Sequence, residues 1–225
     1  MELIIIINTV ILIILLTILY LYCKTKRKNN KSPENKKIKH ILLQIIFAGD
    51  RHTGRKSFLS KYLNIELEKL EKKNINIINT SYYSWLKICE LDSKPIKSRI
   101  CLIKDVNDID ECLVRHSDCC CLFFDLTNRK SFINLDKWKK NILEKVETYA
   151  DSYRFILIGN KCNLKNERKV GENEIKNFCD KNKIKYFEIS CEENINFDTI
   201  FSTIYKIGIE RIEYINDHMP IFTRK

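Results

Sequence analysis

Hydrophobic and polar positions divide the chain into three stretches. From Leu3 to Tyr22 the side chains are almost unbroken hydrocarbon, interrupted only by Asn8, Thr9 and Thr17. As a helix this run reaches about 30 Å, the thickness of a bilayer core. No positive charge precedes it and no small-residue cleavage site follows. Residues 1–23 therefore read as a retained transmembrane anchor rather than a removed signal peptide. Residues 24–38 carry Lys24, Lys26, Arg27, Lys28, Lys31, Lys36 and Lys37 among Asn, Ser and Pro. This is a solvated basic linker suited to anionic headgroups, and its charge predicts that the rest of the chain faces the cytosol. Cys23, beside the apolar run, is a candidate for acylation.

From Lys39 onward, short apolar runs alternate with segments of helical period. Ile41 to Phe47 reads as a strand and residues 55–73 as a helix. Two extended runs, 82–91 and 98–104, flank the turn residues Asp92-Ser93-Lys94-Pro95 and predict a hairpin. Cys119 to Leu126 is wholly apolar apart from Asp125, as in a strand buried on both faces. A helix with Trp138, Ile142 and Val146 on one stripe precedes a second buried strand, Phe155 to Ile158. Residues 172–182 read as helix, 185–189 as strand, and 197 to about 212 as a final helix. This order predicts an α/β fold, a doubly wound, mostly parallel sheet of six strands. Ligands in such sheets sit beyond the carboxyl ends of the strands. Gly49, the region of Asp105, Asn160 and Ser190 all fall at such ends.

Composition changes this picture little. The formal charge of +11 follows a general excess of lysine, without a basic cluster interleaved with aromatics, which argues against nucleic acid as a partner. The ten cysteines include no pair at zinc-knuckle spacing, and Cys119-Cys120-Cys121 lie together in an apolar run. They read as small buried hydrophobes in a reducing compartment. His52 and His116 have no carboxylate or nucleophile at a telling spacing and read as loop or surface residues. Asp108, Asp110 and Glu111 read as a solvated loop rather than a metal cluster.

The candidate chemistry lies in Gly49-Asp50-Arg51-His52-Thr53-Gly54-Arg55-Lys56-Ser57, between the first strand and the first helix. Two glycines with four residues between them in this setting match a phosphate-binding loop, whose backbone N–H groups wrap a phosphate at a helix N-terminus. Arg55 and Lys56 stand where that pattern has Lys and then Ser or Thr. A second register, with one residue inserted, would let Lys56-Ser57 serve as the Lys-Ser pair.

Further along, Phe124-Asp125-Leu126-Thr127-Asn128-Arg129-Lys130-Ser131-Phe132 with Leu135 and Trp138 resembles the Rab branch of the Ras superfamily of small GTPases. Leu157-Ile158-Gly159-Asn160-Lys161-Cys162-Asn163-Leu164 resembles that family's guanine-binding motif. Glu188-Ile189-Ser190-Cys191 resembles its last nucleotide-binding loop, and Glu90 to Lys97 the hairpin between its two switches. The resemblance covers about residues 40–213. It implies a P-loop small G domain over 39–213, preceded by the transmembrane helix and followed by a tail, 214–225.

The resemblance implies nucleotide-binding roles for Gly49, Asp50, Gly54, Arg55, Lys56, Ser57, Asp105, Asn160, Lys161, Asn163, Ser190 and Cys191. For Mg²⁺ it implies Ser57, Thr80 and Asp105. Each departure weakens a role. Asn163 replaces the Asp whose two acceptors pair with guanine, and an amide offers one acceptor and a donor instead. Lys56 places an ammonium where a hydroxyl would hold Mg²⁺. In Asp105-Val106-Asn107-Asp108 an aspartate replaces the glycine of the family's second-switch motif, and Ile109 replaces the Gln that orients the attacking water.

Together these imply a Rab-like GTP-binding protein or pseudoGTPase at an endomembrane. Binding of GTP or GDP would be weakened, Mg²⁺ doubtful, hydrolysis slow or absent, and the partners trafficking effectors or regulators. The alternatives are an active trafficking switch in the second register, a receptor-type anchored G domain, and a nucleotide-free scaffold whose pocket Arg55 and Lys56 fill by reaching Asp105 or Asp108.

Overall fold

The computed structural model describes residues 40–67, 81–146 and 153–218. The predicted membrane span, the basic linker with Cys23, Thr80 and the end of the tail lie outside these residues. Among the described residues no helix is long and apolar enough to cross a membrane.

Six strands form one sheet: β1 (Ile41–Gly49), β2 (Tyr82–Leu91), β3 (Lys94–Ile103), β4 (Cys119–Asp125), β5 (Phe155–Asn160) and β6 (Lys185–Ile189). Among the described residues six α-helices accompany them: α1 (Arg55–Leu63), α2 (Glu111–Arg115), α3 (Arg129–Ile133), α4 (Leu135–Val146), α5 (Glu172–Asn182) and α6 (Phe197–His218). The strand order is β2-β3-β1-β4-β5-β6. Every neighbouring pair is parallel except β2 and β3. The doubly wound sheet expected from the pattern is the one observed.

Strand alternation sorts the core into two layers. Ile45 and Phe47 of β1, Cys121 and Phe123 of β4, and Ile158 of β5 join Phe58 and Leu59 of α1 with Ile200 and Ile204 of α6. On the other face, Ile46, Ala48, Leu122 and Phe124 join Leu113 and Val114 of α2 with Trp138 and Ile142 of α4. Cys119, Cys120 and Cys121 are fully buried and unbridged, with burial pushing the thiols of Cys120 and Cys121 well up. They fill space, as the apolar run predicts.

Three boundaries differ from the sequence reading. The first helix stops at Leu63 rather than 73, because Asn64 turns left-handed (φ 54°) and its N–H caps the last turn. The hairpin turn is only Asp92-Ser93, with Leu91 paired to Lys94, so β3 starts four residues earlier than 98. Both turn residues have positive φ (49° and 61°), the twist that suits a two-residue hairpin, and Pro95 sits inside the strand. The last helix continues to His218, past the expected domain boundary at 213.

Candidate functional site

The loop after β1 is shaped by two close approaches. At Gly49 (φ 132°) a Cβ would overlap the carbonyl oxygen of Phe123, and at Gly54 (φ 91°) it would overlap Nδ2 of Asn160. Glycine is required at both for space as well as for backbone angle. Between them His52 is left-handed (φ 65°), and Thr53 Oγ1 donates to the carbonyl of Asp50 at 2.8 Å. Asp50 itself turns towards α4, accepting from Trp138 Nε1 at 2.8 Å and from Asn134 Nδ2 at 2.6 Å. It is a staple for the loop, not part of the cavity wall. No side chain caps α1, which leaves its first-turn N–H groups for another acceptor.

Helix α1 begins at Arg55, directly after Gly54. Lys56 and Ser57 are therefore its second and third residues, and the one-residue insertion of the second register is not present. Arg55 is buried and donates from Nη1 to the carbonyl oxygen of Ile103 at 2.6 Å, with its guanidinium 5.7 Å from the Trp138 ring. Burial pulls its pKa down to about 10, a fall that the charge of Asp50 and, more weakly, that of Asp105 oppose. At the rim, the ammonium groups of Lys56 and Lys104 stand 5.7 Å and 4.2 Å from the Tyr83 ring.

Opposite, three loops meet on one buried amide. Asn160 donates from Nδ2 to the Thr53 carbonyl at 3.1 Å, and its Oδ1 accepts from the Cys191 N–H at 3.2 Å. Lys161 is left-handed (φ 68°), and its ammonium is held 2.6 Å from the Asp125 carboxylate. Asn163 donates from Nδ2 to Glu192 Oε2 at 3.4 Å. Ser190 is buried, and its hydroxyl accepts from the Glu193 N–H at 3.0 Å. Burial raises the Cys191 thiol to about 11, so it is a protonated wall group.

The segment after β3 is built differently. Asp105 Oδ1 accepts from both the N–H and the Nδ2 of Asn107, each at 3.0 Å. Ile109 is only 8% exposed and packs into the second core layer. Asp110 caps α2, accepting from Leu113 N at 2.6 Å, and Glu111 pairs with Arg115 at 2.9 Å. Asp108 is exposed in a loop, as expected, whereas Asp110 and Glu111 start and brace a short helix. No metal-binding cluster of His, Cys, Asp and Glu occurs among the described residues.

These loops enclose a cavity of about 860 Å³. Its wall includes Gly54, Arg55, Lys56, Ser57, Asn160, Lys161, Asn163, Ser190 and Cys191, while Gly49, Asp50 and Asp105 lie off it. The lining also includes Arg51 and His52 of the same loop, Leu67 and Leu102, and Tyr83, Lys104 and Glu192, which no motif singled out. Among the described residues the basic side chains Arg51, Arg55, Lys56, Lys104 and Lys161 outnumber the one carboxylate of the lining, Glu192, so this wall favours an anion.

Residues 44–209 match the Ras family. The chain belongs to the Ras family. It is similar to Ras-related protein Rab-7a of Dictyostelium discoideum, 29% identical over 177 residues, 76% of this chain and 85% of the relative. It is also similar to GTP-binding protein YPTC5 of Chlamydomonas reinhardtii, 31% identical over 189 residues, covering 81% and 89%. Ypt/Rab-type GTPase ypt7 of Schizosaccharomyces pombe is 28% identical over 183 residues, covering 79% and 86%. This Ras-family chain is thus of the Rab type.

Members of the Ras family take GTP or GDP with Mg²⁺, and the two groups fare differently at this site. The nucleotide fits: the uncapped start of α1 suits phosphate, and the Asn160 knot with Lys161 builds a base end. For a divalent cation the described residues offer Ser57 on the wall and little else, while Thr80 lies outside them. Asp105 is off the wall with one oxygen already serving Asn107, and Lys56 brings an ammonium where a ligand would stand. Nor do Arg55 and Lys56 plug the cavity by pairing with Asp105 or Asp108. Arg55 turns inward to a backbone carbonyl and Lys56 outward to Tyr83.

The signals for Tyr83 and Lys104 were absent from any motif, because strand pairing alone brings β2 and the end of β3 to the rim. Glu192 directly follows Ser190-Cys191 and was open to reading in sequence.

Proposed function

We propose that this protein is a membrane-anchored, Rab-like nucleotide-binding protein that recruits trafficking partners at an endomembrane surface, its G domain facing the cytosol. Residues 3–22 supply the anchor. Nucleotide is held chiefly by the loop backbone, the cationic wall and the Asn160–Lys161 end, more weakly than in its relatives. Hydrolysis is very slow or absent, which makes the protein a resident recruiter more than a cycling switch. A spanning helix also keeps it from exchanging with the cytosol.

The observation that carries the reading is the burial of Ile109. The resemblance places at that position the side chain that would orient a water, and here it is a core hydrocarbon on a segment fastened to α2 and α4. In the nucleotide-binding cavity itself, no carboxylate other than Glu192 lines the wall among the described residues.

The test is turnover of GTP by the full-length protein in detergent, beside a nucleotide titration with and without Mg²⁺. The expected result is binding that changes little with metal and no phosphate release above background. Turnover that scales with protein and disappears in Asp105→Ala would falsify the hydrolysis part. A failure of GTP, GDP and ATP alike to raise the melting temperature would remove the nucleotide part and leave a scaffold.

A further inference from the structure

The base end of the cavity carries two departures that compensate each other. Guanine presents two adjacent donors, a ring N–H and an exocyclic amine, and a carboxylate answers both. At the position where the resemblance places that carboxylate the chain has Asn163, and an amide left to itself can turn either its oxygen or its NH₂ to the base. The structure biases that choice. Asn163 Nδ2 is directed to Glu192 Oε2 at 3.4 Å, and both residues line the cavity. With one of its two N–H donors engaged, Asn163 still has Oδ1 as an acceptor, and Glu192 adds a carboxylate to the same wall.

Glu192 is placed by its backbone, not by chance of side-chain reach. Its carbonyl accepts from Lys61 Nζ at 3.3 Å, and the same ammonium holds Asn194 Oδ1 at 2.7 Å. On one side the Cys191 N–H is tied to Asn160, and on the other the Glu193 N–H is tied to Ser190 Oγ at 3.0 Å. Ser190 and Ile195 close the turn by pairing with each other. The loop that carries the carboxylate is therefore fixed to the loops that carry the asparagine and the phosphate site.

We infer that Asn163 and Glu192 together form a divided acceptor for the base, with Glu192 the specificity-determining residue that keeps this site selective for a purine bearing a ring N–H beside an exocyclic amine. The inference rests on the nucleotide reading above and adds the base class. Taken alone, Asn163 points the other way: its NH₂ would welcome an oxygen at the purine 2-position, as in xanthine. Glu192 reverses that preference, because its negative charge opposes an oxygen there and accepts from an amine.

The experiment compares GDP, IDP and XDP binding to the full-length protein and to its Glu192→Gln and Glu192→Ala variants. Glu192 is exposed, so the variants retain the fold, which equal melting temperatures without nucleotide would verify. The wild type is expected to bind GDP about tenfold or more tighter than XDP, with IDP between. Glu192→Gln is expected to erase the GDP advantage and bring XDP level with it or ahead, leaving IDP within about twofold of its wild-type affinity. A wild type that already prefers XDP, or a GDP-to-XDP ratio unmoved by both variants, overturns the inference while the nucleotide reading stands. Absence of binding by all three nucleotides overturns both.

Discussion

The two ends of the cavity are built on opposite plans. At the base end, loops from β1, β5 and β6 converge on the side chain of Asn160, and its two hydrogen bonds hold them at fixed spacing. Beyond the other end, off the cavity wall, the segment from Asp105 to Arg115 directs its polar groups to itself: Asp105 to Asn107, Asp110 to the start of α2, Glu111 to Arg115. The first arrangement leaves ligand-facing groups preorganised, and the second consumes them in local structure. The two sets of groups depend on different loops, so each can be altered by substitution without the other.

The strongest way to break the comparison is Asn160→Ala. It strands the Thr53 carbonyl and the Cys191 N–H without their partner and opens the packing that makes Gly54 obligatory. We expect a loss of about 2–4 kcal/mol in unfolding free energy, read by urea denaturation, and loss of nucleotide binding with it. An effect below about 0.5 kcal/mol would mean that the knot does not hold the loops.

Lys56→Thr probes the other end by a smaller step. It exchanges the ammonium near Tyr83 for a hydroxyl of the kind that holds Mg²⁺. Mg²⁺ is expected to strengthen GDP binding about tenfold in this variant, about 1.4 kcal/mol, and hardly at all in the wild type. Strong Mg²⁺ dependence in the wild type would show that the metal end is intact after all.

The smallest effect concerns the pair of Arg168 with Glu188, at 2.6 Å and both partly exposed, which braces β6 beside the base end. Burial alone would raise the Glu188 carboxyl, but hydrogen bonds from Arg168 and Tyr186 outweigh it and hold its pKa below the ordinary value. A carboxyl lowered in the folded state stabilises above its unfolded pKa and loses that contribution as pH falls through the folded value. Arg168→Ala should therefore cost less than about 1 kcal/mol near neutrality, and the difference from wild type should shrink in acid. Thermal melts at the two pH values check it.

Strand and helix order, the buried β4 and β5, and the final helix were legible because their hydrophobic periods are long and unambiguous. The phosphate loop and the Asn160-Lys161 pair were legible because spacing and residue type together are restrictive. The turn at Asp92-Ser93 was read too long, since neither residue is the glycine that a left-handed turn ordinarily signals. The roles of Asp50 and Arg55 could not be read at all. Motif position made both ligand contacts, and the structure adds that Asp50 is a staple to Trp138 and Asn134 and that Arg55, on the cavity wall, also donates to the Ile103 carbonyl.

By itself, the sequence determined the topology, the identity of the loop that could cradle phosphate, and the departures at Arg55, Lys56, Asp108, Ile109 and Asn163. Such features depend on neighbours within a few residues or on an apolar period, so they are written locally. Only the tertiary structure decided what the departures mean: that Ile109 is core, that Asp105 serves Asn107, and that Asn163 meets Glu192 across 29 residues. A side chain's partner is set by which strands lie side by side, and that order, β2-β3-β1-β4-β5-β6, is a property of the folded sheet rather than of any one stretch of chain.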